Sequence, residues 1–357
     1  MNSNIKSAGV ANLEAIPGFY RVAIVGAGSL KGKDVAEVLE QRNFPSSEIK
    51  LLDDDESTGK LEALKDEVTF IQSIRSEQFD KVDFTFFASD ADSTRRNWKQ
   101  VSNAGSSIVD LSYALENEPG AVVRAPWIER QLGQTVAPDL APVPVVAADP
   151  VAVTLALLVL RVNAAVRVKR AVATVFLPVS EFGQKGMDEL HAQTVNLLSF
   201  QQLPKDIFDV QVAFNLISRY GDKAVFALSL VSDRVLRHYK KITAGQVTIP
   251  SVQILQPPIF HGNAVSLHLQ LEGVADIAQI SSALSGEHIS LSRSSEDAPS
   301  NVNAAGQGNI LASLTPDAAD PNSVWLWATS DNLRVAASLG VELAESMAAA
   351  RPRGKIQ

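Results

Sequence analysis

The stretch Tyr20–Arg42, YRVAIVGAGSLKGKDVAEVLEQR, decides how the rest of the chain is read. Tyr20–Val25 is a short, mostly apolar run that fits a strand. It breaks at Gly26-Ala27-Gly28-Ser29-Leu30-Lys31-Gly32, and Lys33–Arg42 then places Val35, Val38 and Leu39 at i, i+3 and i+4, the spacing of an amphipathic helix. Glycines at a strand-to-helix turn let a phosphate approach the backbone and aim a helix N-terminus at it. Gly26, Gly28, Ser29, Leu30 and Gly32 are therefore candidate cofactor contacts, and Lys31 either meets a phosphate or is exposed. The spacing is G-x-G-x-x-x-G rather than G-x-G-x-x-G. It points to dinucleotide-fold geometry and leaves open whether a nucleotide is still bound.

Moving outward, a second strand, Ile49–Leu52, ends in Asp53-Asp54-Asp55-Glu56. An acid about 20 residues past such a loop commonly holds a ribose 2′-OH. Asp53 has that place, and four acids in a row would repel a 2′-phosphate, so NAD is expected over NADP; a solvated acidic loop is the other reading. Val68–Gln72, Val82–Ala88 and Ser107–Leu111 read as further strands, with a helix around Ser93–Val101. Short apolar strands alternating with helices indicate a mostly parallel sheet covered on both faces.

This pattern closes at Val145–Leu160, VVAADPVAVTLALLVL. A buried strand over Pro144–Ala147 breaks at Ala148-Asp149-Pro150 and resumes as a helix, with Pro150 at an early position where its missing N–H costs nothing. Beyond this hinge the runs Arg170–Leu177, Val210–Ile217, Ala224–Val231, Val247–Leu255 and Ala264–Leu271 are β-rich. The last alternates Val265, Leu267, Leu269 and Leu271 with polar residues, as an antiparallel sheet with one buried face does. Helices are expected at Gly186–Phe200 and Val274–Leu284, a loop at Ser294–Asn309, a strand at Val324–Ala328 and an alanine-rich helix to about Ala349 capped by Asp331.

The composition, 46% hydrophobic and 20% charged over 357 residues, is that of a soluble globular protein of more than one domain. A net charge of -8 argues against nucleic-acid and anionic-membrane partners. The densest basic cluster, Arg237-His238-Tyr239-Lys240-Lys241, reads as the solvated end of an element. Zero cysteines exclude disulfides, thiolate metal sites and thiol catalysis, and leave the redox compartment undetermined. The longest apolar run stops at Arg161, short of the roughly 20 residues a membrane span needs, and residues 1–20 lack the apolar core of a secretion signal. A cytoplasmic protein is expected. No two histidines have metal-ligand spacing, so no metal is expected; His191 reads as the polar side of a helix, His268 as the polar face of a strand and His288 as a loop residue.

Taken together, VAIVGAGSLKGKDVAEVLEQRNFP, LLDDDESTGK, VDLSYALEN, VSEFGQKGMDEL, AFNLIS, PPIFHGNAV and SDNLRVAASLGVELAE resemble, in order and over nearly the whole chain, the aspartate-semialdehyde dehydrogenase family. The resemblance implies an α/β fold: a Rossmann-like NAD(P)-binding domain over 20–150 after a tail at 1–19, and an α+β domain over 151–328 whose largely antiparallel sheet mediates dimerisation. A C-terminal helix over 329–357 returns to the first domain. It also implies a reaction in which a cysteine thiolate attacks the aldehyde, hydride passes to NADP and phosphate releases the acyl group, with a histidine as acid/base.

Position by position, this chain departs from that machinery. The nucleophile position aligns with Val151, the base with Asn263, and the family's glutamine with Leu177. Its phosphate-motif asparagine and arginine align with Leu111 and Glu116, the NADP-favouring arginine with Glu56, and the middle loop glycine with Ser29. His261 lies near Asn263 but on a strand where close neighbours face apart. The pattern is similar to the Usg-type paralogues of the family. The counterpart of Asn332 approaches the nicotinamide end in the family, which adds Asn332 to the cofactor candidates; a turn-and-cap role is the alternative.

The function expected is therefore a catalytically inactive homodimeric paralogue that retains NAD. One alternative is an NAD-dependent oxidoreductase acting on an aldehyde by cysteine-free chemistry, with Asp149 as its acid. The other is a regulatory or structural module pairing with the active paralogue in a mixed dimer.

Overall fold

A computed structural model describes residues 19–54, 59–64, 67–134, 143–292 and 298–351. Seven parallel strands form the first sheet, in the order Gln72–Ser73, Ser46–Asp53, Tyr20–Val25, Phe84–Phe87, Ser107–Asp110, Val145–Ala147, Val122–Arg124. The central strands are buried along both faces, as the continuous apolar runs IV at 24–25 and FTFF at 84–87 require. Val22 pairs with Ile49 on one side and Phe84 on the other, which places the Gly26 turn over the middle of the sheet.

The second sheet has six strands in the order Ser251–Leu255, Val168–Phe176, Asn263–Leu271, Ser323–Ser330, Ile310–Pro316, Ile289–Leu291. Its three central ladders are antiparallel and its two edge pairs parallel. The alternation in Asn263–Leu271 holds: Val265, Leu267, Leu269 and Leu271 are buried while Ser266, His268 and Gln270 face the other way. That other face also carries Val172, Trp325 and Trp327, all exposed.

Between the two sheets runs the hinge helix, Pro150–Ala165. Asp149 caps it, its Oδ1 accepting from the Val151 amide at 2.9 Å, and Pro150 occupies the first turn. Every residue from Pro150 to Val162 is buried, so the helix is apolar on all sides because it has neighbours on all sides. It packs on the helices Leu228–Thr243 and Ile277–Leu284 and on the strand Val168–Phe176. The C-terminal helix, Asn332–Ala350, returns to the first sheet, where Ala336, Ala337, Val341 and Ala344 share a core with Val35, Val38 and Leu39. Asp331 caps it, accepting from the amides of Leu333 and Arg334.

Several expected elements differ. Val210–Ile217 forms no strand; it is a turn-rich segment tied to the sheet edge through one bridge, Ile217 to Gln256. Ala224–Val231 is not a strand either but the approach to the helix Leu228–Thr243. Leu228, Val231, Val235, Tyr239 and Ile242 bury one stripe of that helix, a period visible only when the window extends past Val231. Within Ser294–Asn309, residues 294–297 lie outside those described and Asn301–Ala304 is a short helix capped by Ser300. Val68–Gln72 divides: Glu67–Phe70 pairs with Leu61–Leu64 as a hairpin, and Gln72–Ser73 is the edge of the main sheet.

Candidate functional site

The glycine loop is held first by its own packing. Gly26 has φ +85°, and a side chain there would collide with the Ser89 amide; a Cβ on Gly32 would run into the Gly26 carbonyl oxygen. These two glycines are therefore explained by the turn itself. Ser29 caps the helix Leu30–Gln41: its Oγ accepts from the Gly32 amide at 2.9 Å and donates to the Ala88 carbonyl at 2.9 Å. Gly28, Ser29 and Leu30 are only partly buried, and Leu30 is the first residue of the helix, whose leading N–H groups have no intrahelical acceptor.

Asp53, at the end of its strand, accepts the Gly28 amide on Oδ2 at 2.8 Å and the Asp54 amide on Oδ1 at 2.9 Å. The acid and the loop chosen from the sequence as cofactor contacts are thus in direct contact. Glu56 lies outside the described residues.

In open α/β sheets the ligand crevice lies outside the carboxyl ends of the strands; the glycine loop is one end of that region here, and the other, at the hinge, is crowded with charge. Arg234, Arg237 and His238 occupy i, i+3 and i+4 of the helix Leu228–Thr243 and share one face of it. Arg234 donates from Nε to Asp149 Oδ2 at 2.8 Å and from Nη2 to Glu181 Oε1 at 2.5 Å. Its guanidinium carbon lies 4.2 Å from the centre of the Tyr113 ring, and Lys31 Nζ lies 4.7 Å from the same centre while donating to the Leu111 carbonyl at 3.1 Å. Burial lowers the Lys31 pKa, opposed mainly by Glu181. Burial also pushes the Tyr113 phenol well up.

Tyr113 has φ +64°, a left-handed conformation unusual for an aromatic residue. The preceding turn is fixed by Asp110, which accepts from the Ser112 amide, the Ser112 hydroxyl and the Leu115 amide.

His238, expected to be solvated within a basic cluster, is fully buried. Its Nδ1 accepts the Asp149 amide at 2.9 Å, so Nε2 carries the ring proton and donates it to Glu116 Oε2 at 2.9 Å. Glu116 Oε1 also receives Arg237 at 2.5 Å. Hydrogen bonding from His238, then from Arg237, lowers the Glu116 pKa to about 2. Glu116 is therefore not a bare anion facing a phosphate site. It joins the first sheet's loops to a helix of the second unit.

The remaining aligned positions are closed. Val151 is 2% exposed and belongs to the core; Leu111 and Leu177 are buried there as well. Asn263 opens its strand opposite Ser330, 2% exposed, with no partner for Oδ1 among the described residues. Asn332 Oδ1 accepts from Ser180 Oγ at 3.1 Å and from the Gly262 amide at 3.3 Å, leaving Nδ2 without a partner among the described residues. Ser180 adjoins Glu181, so one short turn links Asn332 to the Arg234 cluster. His261 is partly exposed, and the polar atom it contributes is its carbonyl, toward Asn301.

Arg234, Glu181, Tyr113 and His238 were not among the candidates taken from the sequence. The signal was the i, i+3, i+4 spacing of Arg234, Arg237 and His238, hidden because the segment before it reads as β. Among the described residues no group of three or more histidines or acids is arranged to hold a metal ion. No helix among them is long and apolar enough to cross a membrane.

A strand-loop-helix nucleotide fold joined through a capped, buried helix to a six-stranded mixed sheet defines a two-domain dehydrogenase architecture. Residues 21–138 match the family model for the semialdehyde dehydrogenase NAD binding domain, and residues 159–335 that for the semialdehyde dehydrogenase dimerisation domain. The chain belongs to the semialdehyde dehydrogenase family. It is 31% identical to a USG-1 protein homolog of Azotobacter vinelandii, across 91% of this chain and 96% of that one. An aspartate-semialdehyde dehydrogenase of Rickettsia bellii is 25% identical over 92% of this chain and 97% of its own. Among solved structures, a probable aspartate-semialdehyde dehydrogenase from Pseudomonas aeruginosa superposes with a TM-score of 0.81 at 29% identity, covering 92% of this chain and 98% of that one.

Proposed function

We propose that this protein is a homodimeric member of the family that binds NAD and has lost semialdehyde oxidation. The observation that carries the reading is the Asp149–Arg234–Glu181 cluster beside a core-buried Val151: these charged groups are engaged with one another, and the nucleophile position holds an alkyl group. Neither Lys31, held against Leu111 and Tyr113, nor Asp149 supports a substitute chemistry. Asp149 spends one carboxylate oxygen on the Val151 amide and the other on Arg234, so it is neither a free nucleophile nor a free base.

Retention of NAD is supported by the Asp53–Gly28 contact and by the leading amides of the helix Leu30–Gln41, with Asn332 Nδ2 available at the hinge end. The acidic character after the second strand favours NAD over NADP. On this reading residues 20–150 form the nucleotide domain, 151–328 the dimerisation domain and 329–357 the C-terminal segment, whose helix Asn332–Ala350 returns to the first domain. The exposed Val172, Trp325 and Trp327 on the outer face of the second sheet form the apolar centre of the dimer contact.

The test is calorimetric titration of the purified protein with NAD and NADP beside a semialdehyde oxidation assay. NAD binding with no turnover is expected. Turnover at the level of an active family member would refute inactivity, and silence with both nucleotides would refute cofactor retention. A solution mass equal to one chain at micromolar concentration would refute the dimer.

A further inference from the structure

We infer that Arg234 and Lys31 form a carboxylate-binding site that the chain fills with its own Glu181. The inference rests on the reading that the crevice no longer turns over a semialdehyde, and it concerns what occupies the crevice instead.

The two carboxylates on Arg234 differ in what else they do. Asp149 is needed by the fold: its second oxygen caps the hinge helix and its amide is bonded to His238. Glu181 has Arg234 as the polar partner of its carboxylate and no other among the described residues. Its segment is a single 3-10 turn, Val179–Phe182, followed by Gly183 at φ +71° with open space where a Cβ would point. Glu181 is thus a carboxylate on a short arm, delivered to a guanidinium that a rigid helix presents.

The charges around it favour an anion at that place. Lys31 has no carboxylate ion pair among the described residues, and of the charges that oppose the lowering of its pKa by burial Glu181 is the largest. Without Glu181, Arg234 would keep Asp149 as its one ion-pair partner among the described residues, beside the Tyr113 ring on which Lys31 also lies. Arg234 remains 18% exposed at its side chain while Glu181 is 8% exposed, so neither partner of the pair is sealed from solvent. A tethered group acts at an effective concentration of about millimolar or more, and so free carboxylates do not displace Glu181 in the native chain. The occupant that fits is the carboxylate of a small organic acid, the group Glu181 itself supplies.

The experiment is a thermal melt of the full chain in sodium acetate against sodium chloride at matched ionic strength, for wild type, Glu181→Ala, Glu181→Gln and the double variant Glu181→Ala with Arg234→Gln. Acetate should raise the melting temperature of Glu181→Ala saturably, by about 3 °C, and leave wild type, Glu181→Gln and the double variant unmoved. No acetate-specific shift in a folded Glu181→Ala overturns the inference, as does an equal shift in wild type or persistence of the shift in the double variant. If Glu181→Ala is unfolded in chloride, recovery of its near-ultraviolet circular dichroism in acetate supports the inference and failure to recover overturns it. Semialdehyde turnover by wild type would sink the functional proposal without touching this result, and a missing acetate effect would leave that proposal standing.

Discussion

The two ends of the crevice are built on opposite principles. At the glycine-loop end, backbone amides and one acid shape the turn: Asp53 holds Gly28, and Ser29 caps the helix that begins at Leu30. At the hinge end, Asp149, Glu181, Glu116, Arg234, Arg237 and His238 satisfy one another, and the position beside them is a buried valine. A fold keeps a binding end through backbone geometry, which tolerates side-chain change. A reacting end depends on a few side chains, because chemistry needs particular atoms.

The largest effect should come from the hinge. Asp149→Ala removes a helix cap and leaves a mostly buried guanidinium short of a partner, and should destabilise the protein by about 3–5 kcal/mol in urea unfolding. Asp149→Asn, which keeps the cap, should lose clearly less; equal losses would show that the ion pair contributes little and that the closed end owes its stability to packing.

Next comes a second contact across the same junction. Trp127 stacks on His288 with ring centres 4.0 Å apart and planes 8° from parallel, and Arg130 donates to His288 Nε2 at 2.8 Å. Burial, with Glu342 and Glu287 opposing and Arg130 and Arg161 assisting, lowers the His288 pKa to about 4 from 6.5. Because the folded value lies below the unfolded one, the unfolded chain takes up the proton first. The neutral ring's stability is complete above pH 6.5 and is lost as pH falls toward 4, by up to about 3 kcal/mol. A pH series of melts on wild type and His288→Phe checks this; the variant should lose that part of the acid slope, and parallel slopes would place the acid sensitivity elsewhere.

A smaller effect should separate the two ends directly. Asp53→Asn should weaken NAD about tenfold by calorimetry, about 1.4 kcal/mol, while Glu181→Gln should leave NAD affinity within about threefold. The reverse ranking would mean that NAD is held from the hinge. The smallest effect is expected for Val151→Cys: a stability change under about 1.5 kcal/mol and no semialdehyde oxidation, because Arg234 stays engaged by Asp149 and Glu181 and the base position stays an asparagine. Measurable turnover in that variant would show the hinge end to be far less altered than its charge pairing indicates.

Much of this was legible in the chain. The strand and helix around Gly26, Pro150 in the first turn of the hinge helix, the cap at Asp331 and the alternating strand from Ala264 all follow from local spacing, which is why they survive comparison with the structure. The segment Ala224–Val231 misled because β-branched and aromatic residues mask the first turn of a helix whose period appears later. His238 misled because a histidine between basic residues looks solvated when its Glu116 and Asp149 partners are distant in sequence.

By itself the sequence determined the α/β nucleotide fold, the absence of a thiol nucleophile and the valine at residue 151, since each depends on residue type and short-range order. The tertiary structure decided that the acid at 116 is a clasp rather than a repulsive intruder, that Arg234 is engaged by Asp149 and Glu181, and that Asp53 touches the glycine loop. Those outcomes depend on groups dozens of residues apart meeting within hydrogen-bond distance, where burial and charge pairing, not local propensity, set the energy.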